Sequence, residues 1–431
     1  MAQSLYKKSR LPNGIRVVTE RVPASSAVSV GIWVNAGSRD EPEELSGISH
    51  FIEHMIFKGT ENRTALEIAK TFDRLGGFSN AFTSKETTCF HAKVMESHLD
   101  TVMDLLADIF LNSVFHPVEV ERERQVILQE ISMVEDSPDD LIHELFSRHF
   151  WRGNQVERSI LGTPETVSTI RPDTLKQHMR DFYVGDRVVV SAAGCVDHDE
   201  FVKRVEALFS EVPGRMSPNG RQRPRPHYGL KTHRKELEQT HMLLGMPGPE
   251  AGNPERYKYL LMNVILGGSM SSRLFQEIRE KYGLAYAVYS FISSFEDAGM
   301  LGIYAGVAPE NSAKVMELAI REMEKLADNS LDEQELDHAK DHVKGGLLLS
   351  SENSDSRMSK IARDELYLGR FVSYDELVEK IDAVSREDIR QCAQECISNG
   401  LAAVLLGQVS QEQEQACRQI IESRKEKEDK V

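Results

Sequence analysis

Few cysteines, no long apolar run and a deficit of positive charge are the first features of this 431-residue chain. The five cysteines are odd in number and scattered, which indicates free thiols in a reducing cytoplasm and not a disulfide framework. No apolar run approaches a membrane span and no basic-then-apolar leader opens the chain, so we expect neither a membrane anchor nor export. The net charge of −16 argues against a nucleic-acid partner and is compatible with basic or extended peptides.

The composition is otherwise that of a globular protein, with 40% hydrophobic and 28% charged residues. A chain of this length exceeds one ordinary core, and we expect two or three domains. The tails of two long stretches share a plan in which an Ile or Val, a short polar link, a helix and a strand ending in Gly follow one another. The positions that correspond are separated by 214, 214 and 213 residues, and they are the pairs Ile170 and Val384, Leu175 and Ile389, and Gly194 and Gly407. This nearly constant offset indicates an internal duplication.

The predicted domains are an N-terminal repeat over residues 1–212, a linker over 213–235 and a C-terminal repeat over 236–431. The linker is assigned because its first half is rich in Pro, Gly and Arg and has no hydrophobic periodicity. Strand-like runs occur at 28–34 and 187–194 in the first half and at 241–246 and 402–407 in the second. Because strands come in runs alongside long amphipathic helices, the pattern favours α+β repeats, each with an antiparallel-rich mixed sheet, over a doubly wound α/β fold.

One pentamer in the first repeat carries possible chemistry. Residues 50–54 read H-x-x-E-H, and on a helix His50 and His54 lie one turn apart on one face, close enough to share a metal ion. Glu53 beside them is placed to take a proton from a metal-activated water. The order inverts the H-E-x-x-H motif and is the inverzincin signature. The alternative is a core or surface helix that happens to hold two histidines.

A catalytic zinc ion needs a third protein ligand and an open position for water. The helix predicted after His116-Pro117 offers two candidates, Glu123 and Glu130, which are seven residues apart and project on nearly the same side. Its buried face is predicted to hold Val126, Ile127, Ile131 and Val134. A Glu near such a face is costly without a partner, and a metal would provide one. A solvated helix with surface ion pairs is the alternative, and it is the better interpretation for the remaining charged residues of the first turns.

The sequence resembles the pitrilysin/insulinase-type zinc metallopeptidases, and most of all the β subunit of mitochondrial processing peptidase and its bacterial homologues. The residues that carry the resemblance extend through both halves and include the segments 11–14 (LPNG), 37–41 (GSRDE), 47–60 (GISHFIEHMIFKGT), 76–83 (GGFSNAFT) and 267–286.

The resemblance implies that the third zinc ligand is a Glu about 76 residues after the second His, and 54 + 76 = 130 designates Glu130. It also implies a second Glu one heptad earlier, Glu123, which we interpret as a residue behind the ligands that orients one of them or keeps the site polar. Adding the 214-residue offset to the four motif positions gives Val264, Gly267, Gly268 and Lys344, which include no zinc ligand. One zinc ion per chain, in the N-terminal repeat, is therefore expected.

Substrate-binding residues are predicted in both halves. The resemblance implies that Arg279 and Tyr286 donate hydrogen bonds to the substrate carbonyl or to the oxyanion that develops from it. The alternatives are a helix-surface ion pair of Arg279 with Glu280 or Glu277 and a half-buried strand position for Tyr286. Asn80 and Ala81 fall on a strand that reads as an edge, which can pair with an extended peptide through main-chain hydrogen bonds. Phe57 is interpreted either as lining the pocket after the scissile bond or as a core aromatic.

Two acids on the helix after Pro138 form a further hypothesis. Asp140 and Glu144 are four residues apart, and the resemblance implies recognition there of an Arg upstream of the cut. Capping of the helix and compensation of its dipole are the alternative roles for these acids.

The resemblance predicts a zinc metalloendopeptidase that hydrolyses peptides or extended polypeptide segments inside a chamber. The alternative is a non-catalytic assembly or scaffold subunit of the same fold, although such relatives generally lack an intact motif. Relatives with only two repeats pair with a second chain, so we expect a homodimer or a heterodimer with a homologous chain. The glycine-rich loop of the processing peptidase's partner subunit is not evident, which leaves open whether presequence-like peptides are substrates.

Overall fold

The computed structural model describes residues 5–214, 220–328 and 330–428. It contains eleven strands: β1 (Leu5–Arg10), β2 (Arg16–Arg21), β3 (Ala27–Val34), β4 (Phe78–Thr83), β5 (Thr88–Met95), β6 (Val188–Gly194), β7 (Gly229–Arg234), β8 (Thr240–Pro247), β9 (Ala285–Ser294), β10 (Gly299–Val307) and β11 (Ala402–Gly407).

Fifteen α-helices are described over the same residues. They are α1 (Ile48–Met55), α2 (Ala65–Leu75), α3 (Leu99–Asn112), α4 (Pro117–Asp136), α5 (Pro138–Phe150), α6 (Pro164–Thr169), α7 (Pro172–Phe182), α8 (His198–Phe209), α9 (Arg256–Gly267), α10 (Ser312–Ala327), α11 (Glu333–Ser350), α12 (Ser354–Arg363), α13 (Tyr374–Asp382), α14 (Arg386–Ser398) and α15 (Gln411–Glu428). Two π-helical segments span Phe275–Lys281 and Asp364–Leu368. Short 3₁₀ turns lie at Ser38–Asp40, Glu43–Leu45, Glu96–His98, Gln155–Glu157, Gly185–Arg187 and Pro309–Asn311. No helix within the described ranges is both long and apolar enough to span a bilayer.

Two units, each built on one sheet, make up the fold. The first sheet has the strand order β1-β2-β6-β3-β5-β4 and the second has the order β7-β11-β8-β10-β9. In each sheet one pair is parallel, β2 with β6 and β7 with β11, and the remaining pairs are antiparallel. The second order repeats the first without β1, so the prediction of two α+β repeats is confirmed.

The units do not follow chain order strictly. The first comprises residues 1–133, 158–221 and 348–373, and the second comprises 134–157, 222–347 and 374–431, apart from the residues outside the described ranges. Helix α5 from the first half therefore belongs to the second unit, and α12 from the second half belongs to the first. The predicted repeat boundaries remain a prediction. Residues 215–219 of the predicted linker lie outside the described residues, and its last part forms β7.

Each sheet is covered on both faces, because its central strands are apolar on both sides. In the first unit the larger core lies between the sheet and helices such as α1, α3 and α8, while α12 covers the opposite face by packing Met358, Ile361 and Ala362 against Trp33. In the second unit α5 does the same, packing Ile142, Phe146 and Phe150 against the strands β8, β10 and β11. Near-continuous hydrophobic strands are expected where both faces are buried.

Glycines at equivalent strand positions let these two covering helices approach. A Cβ on Gly31 would lie 2.6 Å from Sδ of Met358, and a Cβ on Gly245 would lie 2.2 Å from Cζ of Phe146. The two positions are 245 − 31 = 214 residues apart, which is the offset of the duplication. The same close contact between strand and helix has therefore been kept in both units.

We predict that Gly245→Ala destabilises the protein because its methyl group overlaps the Phe146 ring. Overpacking of this kind costs about 1–3 kcal/mol. Gly345→Ala is the control, since Gly345 lies within α11 and nothing lies within 4 Å of its added Cβ. That variant should be neutral or stabilised by up to about 1 kcal/mol. Chemical denaturation of both variants measures the difference, and equal stabilities would contradict the prediction.

Candidate metal centre

The H-x-x-E-H pentamer lies on the short helix α1. Its start is fixed by the Glu41 carboxylate, which accepts hydrogen bonds from the backbone N–H groups of Gly47 (2.7 Å) and Ser49 (2.8 Å). These are N–H groups that the first turn of a helix leaves without partners. The apolar residues of α1 face the core, while the imidazole rings of His50 and His54 lie one turn apart with centroids separated by 4.6 Å.

Helix α4 brings a carboxylate to both imidazoles. Oε2 of Glu130 lies 3.6 Å from Nε2 of His50 and 3.5 Å from Nε2 of His54. Donors around a tetrahedral zinc at 2.0–2.1 Å are about 3.4 Å from one another. Among the described residues, these three are the only group of three or more His, Cys, Asp or Glu whose ligand atoms all lie within 4.8 Å of one another. Two imidazoles and one carboxylate are also a donor set that suits a catalytic zinc, so the residues fit the metal.

The electrostatics of the site favour metal-binding protonation states. Burial, and secondarily the electrostatic effect of the neighbouring His54, lowers the pKa of His50 to about 3. His50 is therefore neutral at pH 7, and the neutral imidazole is the form that binds metals.

Burial also acts on Glu53, whose pKa it raises, with Thr83 and His54 partly opposing the effect and Glu130 adding to it. A carboxylate with a raised pKa is a better proton acceptor than an ordinary surface Glu.

Glu123 lies behind His54 on α4. Its Oε2 is 3.1 Å from Nδ1 of His54, and its Oε1 is 2.6 Å from Nζ of Lys58. Of the face predicted for α4, Ile127 and Ile131 are buried but Val126 is 40% exposed. The buried stripe runs through residues 120, 123, 124, 127 and 131, at the i+3 and i+4 spacing of a helix, and Val126 falls outside it.

The predicted peptide-binding strand is at a sheet edge. Asn80 and Ala81 lie on β4, which pairs with β5 on one side and has no strand on its other side among the described residues. Asn80 is exposed and Ala81 is buried. Helix α1 packs beside this strand in the same unit. Phe57 is half-buried, packs against the core and meets Phe72 edge-on at 6.3 Å, which is compatible with both roles considered for it.

The remaining predicted residues belong to the second unit. Arg279 lies on the π-helical segment Phe275–Lys281, and its guanidinium carbon is 5.3 Å from the ring centre of Tyr286, at the start of the edge strand β9. Tyr286 is 79% exposed. Asp140 and Glu144 lie in the first turns of α5, exposed and half-buried respectively, around His143. The structure thus groups Arg279 with Tyr286, and Asp140 with Glu144.

Two residues that the sequence did not single out contribute to the site. Lys58 pairs with Glu123, and Glu41 caps α1. Glu41 could have been found from the sequence, because a helix that begins after a glycine has free N–H groups that need an acceptor. For Lys58, the only signal in the sequence was its position four residues after His54.

Helix-borne His50 and His54, completed by a Glu from another helix, are the arrangement of an inverzincin-type zinc peptidase. Comparison with known families agrees. Residues 16–164 match the model of insulinase, peptidase family M16, and residues 169–343 match the model of the peptidase M16 inactive domain.

Curated relatives match along nearly the whole chain. The uncharacterized zinc protease YmxG of Bacillus subtilis is 42% identical over 402 residues, covering 93% of this chain and 98% of the relative. The uncharacterized zinc protease Rv2782c of Mycobacterium tuberculosis is 40% identical over 408 residues, covering 93% of each chain. The chain therefore belongs to peptidase family M16, whose relatives' names support a protease-like function and zinc as the metal.

Two solved structures share the fold. A protease from Helicobacter pylori superimposes with a TM-score of 0.88 at 22% identity, covering 94% of this chain and 100% of that one. The structure titled peptidase M16 inactive domain from Pseudomonas fluorescens superimposes with a TM-score of 0.89 at 18% identity, covering 94% and 99%.

Proposed function

We propose that this protein is a zinc-dependent endopeptidase that hydrolyses peptides or extended polypeptide segments within a chamber, in the manner of the processing peptidases. The convergence of Glu130 with His50 and His54, at separations suited to zinc, carries the proposal. A non-catalytic scaffold would have no use for this donor set.

His50 and His54 would hold one zinc ion per chain through their Nε2 atoms, and Glu130 would hold it through a carboxylate oxygen. Zinc at such a site supplies Lewis acidity, which lowers the pKa of water and polarises a carbonyl. Glu53 accepts the proton of the attacking water and then donates it to the leaving amine. Its raised pKa brings the carboxylate closer to the neutral pH at which both transfers must occur.

Substrate binding is assigned to the edge strand and to donors from the second unit. Asn80 and Ala81 on β4 offer main-chain hydrogen bonds to an extended peptide, a mode that tolerates different substrate sequences. Arg279 and Tyr286 would donate to the substrate carbonyl and to the oxyanion, and Phe57 would contact the residue after the scissile bond. The Arg279 guanidinium lies over the Tyr286 ring, 5.3 Å from its centroid, and this proximity of two donors supports a joint role.

Replacing Glu53 by Gln should abolish turnover and leave zinc binding intact. Loss of a general base lowers kcat by about 10²–10⁴-fold. Glu130→Gln should lose zinc and activity together, while Glu119→Gln, a change of a half-buried acid on the same helix that pairs with Arg122, should retain both. Metal analysis and cleavage of a fluorogenic peptide, with and without a chelator, measure these effects. More than a tenth of the wild-type turnover in Glu53→Gln would exclude Glu53 as the base, and a zinc-bound wild type that cleaves no peptide would favour zinc-dependent peptide binding without turnover over the proposed activity.

We further propose that Asp140 and Glu144 bind an arginine upstream of the cleaved bond. Asp140→Ala combined with Glu144→Ala should reduce kcat/KM for an Arg-containing peptide by about tenfold or more, the effect of losing a hydrogen bond to a charged group. The matched peptide carries citrulline, which has nearly the same shape and no charge, and should be little affected. Asp337→Ala, an exposed acid on α11, is the control. Equal losses for the two peptides would contradict specificity for a basic residue.

A complete chamber is proposed to need two chains, either as a homodimer or with a homologous partner. Light scattering of the purified chain should give twice its 48.6 kDa mass if the chamber is a homodimer, and the single mass without activity if a homologous partner is required. Dilution below the dissociation constant of the dimer should reduce the activity per chain, because each chain supplies one zinc site but only two repeats, and a complete chamber needs two chains. Full activity of a monomer would contradict the proposal. The five unpaired cysteines support action in a reducing cytoplasm.

A further inference from the structure

A line of three side chains leads from the metal centre toward solvent. Nδ1 of His54 lies 3.1 Å from Oε2 of Glu123, and Oε1 of the same carboxylate lies 2.6 Å from Nζ of Lys58. The side chain of Glu123 is only 9% exposed and that of Lys58 is 32% exposed. Both oxygens of a nearly buried carboxylate are thus engaged, one by a ligand and the other by a cation.

We propose that Lys58 is a positioning residue that acts on the zinc site through Glu123. This inference rests on the function proposed above. By holding Oε1, the ammonium group fixes the rotation of the Glu123 carboxylate so that Oε2 accepts the hydrogen bond from Nδ1–H of His54. That hydrogen bond selects the tautomer whose Nε2 lone pair faces His50 and Glu130. Metal-binding histidines are commonly oriented in this way by a carboxylate.

The other histidine has no comparable support. Nδ1 of His50 is buried and makes no hydrogen bond with any described residue. The orientation of the imidazole pair is therefore fixed from one side, through His54. A carboxylate with only one oxygen engaged could rotate away from the ring, and burial of its charge beside a single neutral partner is costly. The ammonium group of Lys58 prevents this rotation and compensates the buried charge of the carboxylate.

The backbone holds Lys58 in place. Its N–H donates to the carbonyl of Met55 at 3.0 Å, which extends α1 by a final turn. Gly59 follows with φ of +125°, a conformation that permits the chain to turn sharply. Thr60 is then anchored through Oγ1 to Oδ2 of Asp108 at 2.8 Å, and Asp108 also accepts hydrogen bonds from Asn62 and Asn112. The ammonium group is thus presented by an anchored loop.

A purely structural role for Lys58, as an ion pair that joins α1 to α4, makes a different prediction from a positioning role. A structural ion pair affects folding of the metal-free protein. A positioning residue affects zinc affinity and the environment of the metal. Its effect disappears when Glu123 is replaced by a residue that cannot pair with it. Variants that separate the stability of the metal-free protein from its zinc affinity therefore distinguish the two roles.

The experiment measures zinc affinity by chelator competition, together with the visible spectrum of the cobalt-substituted protein. Lys58→Met should weaken zinc binding by about tenfold, the lower end of the effect of removing an outer partner of a ligand. Its cobalt bands should shift, and Lys58→Arg should restore most of the affinity. In a Glu123→Gln background, Lys58→Met should change affinity by less than about twofold, since coupled residues are non-additive.

Lys344→Met is the matched control. Lys344 is 25% exposed and also pairs with carboxylates, Asp341 and Asp382, but it lies in the second unit. Its substitution should leave zinc affinity and the cobalt spectrum unchanged. Lys58→Gln is measured beside Lys58→Met; if both lower the unfolding midpoint of the metal-free protein more than this control does while zinc affinity stays at its wild-type value, Lys58 has the structural role and not the positioning role.

Three results would overturn the inference. They are wild-type zinc affinity and cobalt spectrum in the Lys58 variants, no recovery with Lys58→Arg, and an additive loss in the Glu123→Gln background. In each of these cases the wild type still binds zinc, so the proposed function stands. A wild-type chain that fails to bind zinc would overturn both the inference and the proposed function.

Discussion

The approach of α4 to α1 is the constraint on which the first unit depends. It brings the Glu130 carboxylate within 3.6 Å of two imidazole nitrogens, although these groups are separated by 76 to 80 residues of chain. Without the packing of the buried stripe of α4 and of the core face of α1, these side chains would move apart and become solvated. Packing therefore places polar groups where they are individually costly, and a shared metal would offset that cost.

Much of the fold could be predicted because its signals are local. The strands beginning near residues 28, 188, 241 and 402 are apolar runs of suitable length, and the structure places β3, β6, β8 and β11 there. The pairing of His50 with His54 follows from helical spacing alone. The proximity of Glu130 did not follow from spacing, since Glu123 was an equal candidate until a family resemblance distinguished them.

The rest could not be predicted because it depends on tertiary contacts. Lys58 is one lysine among many, and its significance lies in meeting a buried carboxylate from a distant helix. Val126 was assigned to the core because it is apolar, but the face of α4 is decided by neighbours that the sequence does not reveal. Likewise, nothing in the local sequence of α5 or α12 indicates which sheet each helix covers.

The placement of those two helices affects the order in which the protein can form. The first unit uses residues 348–373, which a ribosome adds only after most of the second unit's chain has been made. Until then, the face of the first sheet that carries Trp33 and Cys89 lacks α12 as its cover. A cut in the gene between the repeats would therefore leave the first sheet without α12 and the second sheet without α5, even though each sheet repeats the plan of the other.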